Sequence, residues 1–377
     1  MPADASLITA LREVQEPELR RSIVELGMVK GAALEGPAAL VAVALPLDPG
    51  DGGAALRAAI EAAVRQVPGV ERVEVDLRPM SEEELPAVAN VLKGVDPLRV
   101  VDASSGGQPA ARTNPFTDNR TRILAVSSGK GGVGKSSVTT NLAVALAERG
   151  RDVAALDADV WGFSMPRMLG VDRPPGVIDD VIVPPSAHGV RLISMGFFAR
   201  EDQAVVWRGP MLHKALEQFL TDVHWGEPDY LVIDMPPGTG DISLSMAQFV
   251  PRAEVVVVTT PQPAAQKVAQ RAAAMARKVN LSVVGVVENM SWFRGDDGKA
   301  YEIFGAGGGE ELAADLGVPL LGRVPLVPAL REGGDDGDPI VVAHPDDEAA
   351  VAFRAIAEQL DTALVPSRRH HPELRIT

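Results

Sequence analysis

The stretch Ile123-Leu-Ala-Val-Ser-Ser-Gly-Lys-Gly-Gly-Val-Gly-Lys-Ser136 decides the fold. Its last eight residues fit the pattern G-x-x-x-x-G-K-[ST], preceded by an apolar strand pattern and followed by a helical one. Backbone N–H groups of such a loop surround a polyphosphate, its lysine meets the terminal phosphates, and its serine holds Mg²⁺. The sequence therefore predicts a nucleotide-binding loop made of Gly129, Lys130, Gly131, Gly132, Val133, Gly134, Lys135, Ser136 and Ser137.

Strand and helix patterns alternate from this loop toward the C-terminus. Runs such as Val255–Val258 are apolar at every position, which is typical of parallel strands covered on both faces. We predict an α/β fold with a mostly parallel sheet and helices on both faces. The predicted strands are 123–127, 153–156, 190–195, 230–233, 255–259, 283–287 and 320–324, and the predicted helices are 135–149, 211–223, 243–249, 263–278, 309–316 and 346–360.

A small α+β domain is predicted for residues 1–79. Leu7, Leu11 and Val14 have helical spacing, and a second short helix is predicted from Pro17 to Leu26. Three strand patterns follow, at 28–34, 39–47 and 70–77. Residues 80–120 include a stretch rich in Ser, Gly and Pro and few residues suited to a core, so they are predicted to form a flexible linker. This leaves residues 121–364 as the nucleotide-binding domain and 365–377 as a tail.

Composition excludes several classes of function. The chain has 51 acidic and 36 basic residues, and this charge of −15 disfavours binding to nucleic acid or an anionic membrane. No apolar run has the length of a membrane-spanning helix, and Met1 to Ala10 lack the basic cluster of a secretory signal, so we expect a cytoplasmic protein. The cysteine count is zero, which excludes disulfides and thiolate-ligated metal sites built from this chain alone.

Carboxylates end two of the predicted strands. Asp234 ends the apolar run that starts at Tyr230, and we predict that it holds a Mg²⁺-bound water. Asp157 and Asp159 end another strand, where residues two apart face the same way. We predict that Asp159 orients the attacking water and that Asp157 supports the magnesium shell. The alternative for both is a solvated aspartate at the end of a strand.

Two further segments lie at the expected nucleotide edge. Met235-Pro-Pro-Gly-Thr-Gly-Asp241 is suited to sensing the γ-phosphate. Asn289 ends a strand, and an amide there can pair with both the donor and the acceptor edge of adenine. A capping asparagine is the alternative interpretation.

Lys130 gives the loop a second lysine. The sequence K-G-G-x-G-K-S resembles the deviant Walker A loops of the MinD and ParA ATPases. That resemblance implies a homodimer in which Lys130 reaches the partner's nucleotide and acts with Lys135 and Asp159 in catalysis, as an added cation does on a transferring phosphoryl group. The alternative is a solvated lysine in a loop.

Several segments together resemble the Mrp/ApbC family of P-loop ATPases, the iron–sulfur cluster carriers. They are Gly129–Ser136, Leu156–Gly162, Trp207–Met211, Asp229–Asp241, Glu288–Ser291 and Phe304–Gly309. The first domain is similar to the PaaD-like domain of that family, through Pro17-Glu-Leu and Val24-Glu-Leu-Gly-Met-Val29. The resemblance implies Mg²⁺-dependent ATP hydrolysis, assembly or transfer of iron–sulfur clusters, a bound [4Fe–4S] cluster, and partners among assembly or client proteins.

One feature departs from this family. Its members place a Cys-x-x-Cys pair after the Asn-Met-Ser segment, whereas this chain reads Trp292-Phe-Arg-Gly-Asp-Asp-Gly-Lys299 and offers no iron–sulfur ligands. A cysteine-free nucleotide switch that docks or regulates partners is therefore an alternative function. A MinD/ParA-like positioning ATPase is another. It would need a basic amphipathic C-terminal helix to bind a membrane, or a basic surface to bind DNA, whereas helix 346–360 is acidic. A kinase-like transferase would need an acceptor pocket, which the sequence does not identify.

Overall fold

The computed structural model describes residues 4–47, 52–93, 114–117, 120–198, 209–238 and 241–364. The strands in these ranges are β1 (Val29–Glu35), β2 (Ala38–Leu45), β3 (Arg72–Pro79), β4 (Arg122–Ser128), β5 (Val153–Asp157), β6 (Gly176–Ile178), β7 (Val181–Val183), β8 (Ser186–Ala187), β9 (Val190–Ser194), β10 (Tyr230–Asp234), β11 (Glu254–Thr259), β12 (Ser282–Asn289), β13 (Phe293–Arg294), β14 (Ala300–Tyr301) and β15 (Leu320–Val324).

The helices in the same ranges are α1 (Ala5–Leu11), α2 (Gly52–Val64), α3 (Leu85–Leu92), α4 (Lys135–Glu148), α5 (Met165–Met168), α6 (Gly209–Thr221), α7 (Asp241–Phe249), α8 (Pro263–Lys278), α9 (Gly308–Leu316), α10 (Pro328–Asp336), α11 (Ile340–Ala343) and α12 (Glu348–Glu358). A 3₁₀ turn covers Met195–Phe198, and a π-helical turn, Gln359–Ala363, follows α12. Within the described ranges, every helix is too short or too polar to span a bilayer.

The chain divides into two compact units. The first unit contains residues 1–118, 173–186 and 214–227, and the second contains 119–172, 187–213 and 228–377. In the first unit, β2 pairs antiparallel with β1 and parallel with β3. The core of this unit includes Leu7 and Leu11 of α1, Ile60 of α2 and Val88 of α3. The three-stranded sheet has the three strands that the sequence predicts for residues 1–79.

The short helix predicted from Pro17 to Leu26 is replaced by turns. The carboxylate of Glu16 accepts hydrogen bonds from the backbone N–H groups of Glu18 and Leu19, at 2.9 and 2.6 Å. The N–H of Ile23 donates to the carbonyl of Val14, which closes the segment into a loop. Apolar spacing alone does not reveal these competing hydrogen bonds, so it predicts a helix where the chain turns.

The first unit also differs from the predicted domain boundaries. Residues 85–92, predicted as linker, form α3, and Val88, Ala89 and Leu92 enter the core because their spacing places them on one helix face. Residues 173–186 join the same unit through the hairpin β6–β7, whose Ile178 and Val183 are fully buried. Residues 94–113 of the predicted linker and the predicted tail, 365–377, lie outside the described residues.

The second unit is built on a large, mostly parallel sheet. Its strand order is β15-β12-β11-β4-β10-β5-β9, with the short β8 beside β9, and the pairs from β15 to β9 are all parallel. One core cluster joins Leu124 and Val126 of β4 to the buried residues of α4 and α12. The alternate positions Val255 and Val257 are also buried, and α8 and α9 pack against β11 and β12. Helices thus cover both faces, as predicted.

Parallel strands bring their carboxyl ends to one edge of the sheet. Asp234 of β10 pairs in register with Val126 of β4 on one side and with Asp157 of β5 on the other. Ser194 of β9 continues the same row beside Asp157. The loop between β4 and α4 leaves the sheet at this edge, so the predicted phosphate-binding loop and the predicted carboxylates meet there.

Candidate functional site

The glycine-rich loop enters α4 through Gly134. Gly134 caps the helix in the left-handed region, with φ of 78°. A Cβ atom at this position would lie 2.2 Å from Nδ2 of Asn289, so the neighbouring side chain also requires glycine. Because α4 begins directly after Gly134, the N–H groups of its first turn have no intrahelical partners and face the loop. The loop and the helix end together form a site suited to a phosphate group.

Lys135 is buried and ion-paired in this structure. Its Nζ atom lies 2.7 Å from Oδ2 of Asp234 and 3.6 Å from Oδ2 of Asp159. Lys135 and Asp159 are each 6% exposed, and Asp234 is fully buried. A buried charge is costly unless it is paired and hydrogen-bonded, so Lys135 stabilises the two carboxylates and they stabilise it.

Two hydroxyl groups also donate hydrogen bonds to the carboxylate of Asp234. Ser136 donates its Oγ–H to Oδ2 of Asp234 at 2.5 Å, and Thr139 donates its Oγ1–H to Oδ1 at 2.7 Å. Thr139 is not among the predicted site residues, although it lies four residues after Lys135 and therefore on the same side of α4. Hydroxyl and carboxylate oxygens are hard ligands, and the pair Ser136 and Asp234 matches the donors that Mg²⁺ prefers.

Asp157 organises the loop that follows β5. Its Oδ1 accepts a hydrogen bond from the N–H of Asp159 at 3.2 Å. Its Oδ2 accepts from the N–H groups of Ser164 and Met165, at 3.1 and 3.2 Å, and from the Oγ–H of Ser194 at 3.1 Å. Burial raises the pKa of Asp157 to about 7, and the negative charge of nearby Asp234 adds to the rise. Through these contacts Asp157 fixes the backbone of the loop after β5. This role differs from the predicted one, which is to support the magnesium shell.

Asp159 is held within this loop. Its Oδ1 accepts a hydrogen bond from the N–H of Gly162 at 3.2 Å, while Oδ2 faces Lys135. Ser194 is not among the predicted site residues, and its position at the carboxyl end of β9, beside Asp157, is the signal that could have identified it. Trp161, two residues after Asp159, is 73% exposed. Asp159 therefore belongs to a loop fixed at both ends by Asp157 and exposed at its tip.

Lys130 belongs to the phosphate-binding loop, and Asn289 contacts that loop from the end of β12. Lys130 is half-buried, and its Nζ lies 3.4 Å from Oε1 of Gln262, in the turn before α8. Asn289 is buried and donates from Nδ2 to the carbonyl of Val133 at 2.9 Å. Its Oδ1 has no hydrogen-bond partner among the described residues. An unpartnered buried acceptor is costly, and a purine amino group is one donor that would satisfy it.

The segment at which the family resemblance implies cysteines is a small hairpin. Phe293 pairs with Tyr301, and Arg294 pairs with Ala300. The carboxylate of Asp297 accepts from the N–H of Lys299 at 3.1 Å and from the hydroxyl of Tyr301 at 2.8 Å. No group of three histidine, aspartate or glutamate side chains suited to a metal ion occurs in the described part of the chain. With no cysteine in the sequence, this hairpin does not fit an iron–sulfur cluster.

Parts of two predicted segments lie outside the described residues. They are Trp207 and Arg208, at the start of Trp207–Met211, and Thr239 and Gly240, in the predicted γ-phosphate sensor. The start of that sensor is described, and it is hydrogen-bonded to β4, the strand that leads into the phosphate-binding loop. The N–H of Gly238 donates to the carbonyl of Ser128 at 2.9 Å, and the N–H of Met235 donates to the carbonyl of Val126 at 3.0 Å.

Comparison with known proteins shows the family of the chain. Residues 119–361 match the profile described as a NUBPL iron-transfer P-loop NTPase, and residues 4–77 match that of an iron–sulfur cluster assembly protein. A protein of Mycobacterium leprae named iron-sulfur cluster carrier protein is 44% identical over 97% of both chains. The protein of that name from Synechocystis is 43% identical over 94% of this chain and 96% of its own.

Two solved structures share the fold of the second unit. A nucleotide-binding protein from Archaeoglobus fulgidus in complex with ADP is 34% identical, with a TM-score of 0.53 over 62% of this chain and 91% of its own. The septum site-determining protein MinD from Pyrococcus horikoshii, complexed with Mg-ADP, is 27% identical, with a TM-score of 0.51 over 65% of this chain and 97% of its own. The chain belongs to the family of NUBPL iron-transfer P-loop NTPases.

Proposed function

We propose that this protein is a Mg²⁺-dependent ATPase that acts as a nucleotide switch in the assembly or transfer of iron–sulfur clusters. The contact between Lys135 and Asp234, with Ser136 on the same carboxylate, carries the proposal. These contacts place Lys135, a cation suited to phosphate, beside Ser136 and Asp234, two ligands suited to magnesium, at the end of the phosphate-binding loop. The two relatives named above are iron–sulfur cluster carriers, which supports the cellular role.

The residues divide the work of hydrolysis between them. Backbone N–H groups of Gly131 to Ser137 bind the phosphates, and Lys135 turns from Asp234 to the β- and γ-phosphates. Ser136 and Asp234 hold Mg²⁺, directly or through water, and Mg²⁺ supplies neutralisation of phosphate charge.

Asp159 orients a water molecule toward the γ-phosphorus. The oxygen of that water forms the new bond, the bond from phosphorus to the bridging oxygen breaks, and ADP and phosphate leave. Asp157 holds the loop of Asp159 in place, with a part in the magnesium shell proposed beside that task. Asn289 accepts a hydrogen bond from the adenine amino group through its unpartnered Oδ1. Release of phosphate from ATP with and without Mg²⁺ tests the activity, and a rate unaffected by the metal would contradict it.

We propose that two copies close around nucleotide, with Lys130 of each reaching the other's phosphates. The Nζ atom of half-buried Lys130 lies 3.4 Å from Oε1 of Gln262, a long contact that it can leave for a phosphate. Light scattering with a non-hydrolysable ATP analogue should show a dimer.

The variant Lys130→Ala should weaken that dimer by about 10-fold or more, because it loses a hydrogen bond between charged groups. Lys267→Ala changes an exposed lysine on α8 and should leave the dimer intact. If Lys130→Ala dimerises and hydrolyses ATP as the unmodified protein does, Lys130 is a solvated loop residue.

The cluster itself is the cargo of this proposed function, and the chain does not supply ligands for it. Iron in such clusters prefers thiolate sulfur, and the sequence has no cysteine. We therefore propose that a partner protein's thiolates hold the cluster while this chain acts as the switch. A switch that docks or regulates partners without any cluster is the second candidate, and the cysteine-free hairpin β13–β14 favours it.

Anaerobic reconstitution should leave the isolated protein without a [4Fe–4S] cluster. Carboxylates and imidazoles bind iron weakly and lose it to a chelator, so desalting and a chelator wash should remove it. Iron and sulfide assays, together with absorbance in the cluster charge-transfer region, provide the measurement. Stoichiometric iron and sulfide after the wash would restore a carrier role through unrecognised ligands.

A further inference from the structure

Glu288 is a buried carboxylate that the proposed nucleotide chemistry does not use. It lies next to the end of β12 and is 1% exposed. Its Oε1 accepts a hydrogen bond from Oγ of Ser291 at 2.9 Å, and its Oε2 accepts from the N–H of Gly309 at 2.6 Å. Nε of Arg323 lies 3.5 Å from Oε1 and provides the balancing charge. One side chain thus holds both ends of segment 291–309, which contains the hairpin β13–β14.

The end of this segment is tightly seated. A Cβ atom on Gly309 would lie 2.6 Å from Cβ of Glu288, and one on Gly308 would lie 2.3 Å from the carbonyl oxygen of Pro261. At such distances the start of α9 cannot shift unless Glu288 or the turn at Pro261 shifts with it. The position of segment 291–309 is therefore set by two neighbouring stretches, the end of β12 and the turn before α8.

The same two stretches contact the phosphate-binding loop. Asn289, directly after Glu288, donates to the carbonyl of Val133 at 2.9 Å. Gln262, directly after Pro261, accepts from Nζ of Lys130 at 3.4 Å. A phosphate that draws Lys130 away from Gln262, or moves the carbonyl of Val133, acts on residues adjacent in sequence to those that seat α9. Polar contacts and close packing thus connect the phosphate-binding loop to segment 291–309 without a gap.

We propose that Glu288 is a positioning residue that couples nucleotide occupancy to the conformation of segment 291–309. The proposal rests on the proposed function, because the signal begins with nucleotide in the loop. The family resemblance implies an iron–sulfur cluster at this segment. In this chain the segment has no cysteine, and its residues Tyr301 and Ile303 are exposed. Such coupling acts in both directions. Loosening segment 291–309 should therefore also make the phosphate-binding loop less ordered.

Hydrogen exchange of backbone amides, followed by peptide, tests the coupling in the full chain. In the unmodified protein, a non-hydrolysable ATP analogue with Mg²⁺ should slow exchange in peptides covering 129–137 and change it in peptides covering 291–309. Glu288→Gln places an amide N–H₂ against the N–H of Gly309 or the hydroxyl of Ser291. The change at 291–309 should then be lost, while the protection at 129–137 remains.

Glu310→Gln is the matched control. Glu310 also pairs with Arg323, at 2.9 Å, but its side chain is 73% exposed and does not hold the segment ends. This variant should keep the response of the unmodified protein. If Glu288→Gln does not fold, Ser291→Ala removes one of the two end contacts and should at least halve the response at 291–309.

A nucleotide-free comparison separates this proposal from the proposed function. Without any ligand, Glu288→Gln should raise exchange in peptides covering 129–137 at least about 3-fold relative to Glu310→Gln. That result would support the coupling even if the unmodified protein failed to bind ATP. Equal exchange in the two variants, or a response at 291–309 that survives Glu288→Gln, would overturn it.

Discussion

Lys135→Ala will reduce the rate of ATP hydrolysis by at least about 10²-fold, to the background of the assay. The variant loses the cation that meets the β- and γ-phosphates, and stabilisation of phosphate charge by preorganised groups is a large term in phosphoryl transfer. The nucleotide-free protein will also lose stability, because Asp234 is fully buried and keeps only the hydroxyl groups of Ser136 and Thr139. Phosphate release and thermal unfolding of the same sample measure both effects.

Two further variants make this result interpretable. Lys278→Ala removes an exposed lysine from the last turn of α8 and should leave both activity and stability unchanged. Lys135→Gln keeps most of the side-chain length without the charge, and should fold while remaining inactive. Normal turnover in a folded Lys135 variant would show that hydrolysis does not use this loop.

Asp159→Ala will slow hydrolysis by about 10²- to 10⁴-fold, which is the usual contribution of a residue that positions or deprotonates the nucleophile. ATP binding should change far less, because the phosphate contacts come from the loop and from Lys135. Asp159 also lies 3.6 Å from Lys135, so its removal leaves that lysine with one competing carboxylate, that of Asp234, instead of two. Single-turnover hydrolysis and binding of a fluorescent ATP analogue separate rate from affinity.

Asp159→Asn sharpens the test. Its remaining oxygen can still accept from the N–H of Gly162, so the loop keeps its shape while the carboxylate is lost. Hydrolysis as slow as in Asp159→Ala would assign the effect to the carboxylate itself. Asp296→Ala, in the exposed turn between β13 and β14, serves as the control and should hydrolyse normally. A loss of affinity as large as the loss of rate would make Asp159 a structural or metal-shell residue.

The sequence predicted the second unit well because its signals are local. Strands β4, β10 and β11 each contain four consecutive apolar residues, and the octamer ending at Ser136 specifies the turn from strand to helix. The large parallel sheet with helices on both faces is confirmed. Asp157, Asp159 and Asp234 do converge at one edge, because parallel strands of similar length end together.

Features that depend on contacts distant in sequence were not predictable in the same way. The buried pairing of Lys135 with Asp234 joins residues nearly a hundred positions apart, and its strength depends on burial that composition does not reveal. Val88 and Ile178 enter the core of the first unit from segments assigned to a linker and to the second domain. In the turns after Pro17, the carboxylate of Glu16 and the carbonyl of Val14 accept hydrogen bonds that compete with those of a helix.

In the proposed function, the ion pair between Lys135 and Asp234 should make the binding of metal and the binding of nucleotide interdependent. As Lys135 moves toward a phosphate, the fully buried Asp234 loses its counter-ion, and this cost opposes binding of a nucleotide alone. A divalent cation held by Asp234 and Ser136 would restore the charge balance, so each ligand should remove a free-energy cost that the other would meet alone. The proposed site should therefore discriminate by charge, because a metal-free nucleotide would take Lys135 from Asp234 without providing a replacement cation, whereas the magnesium complex would provide one.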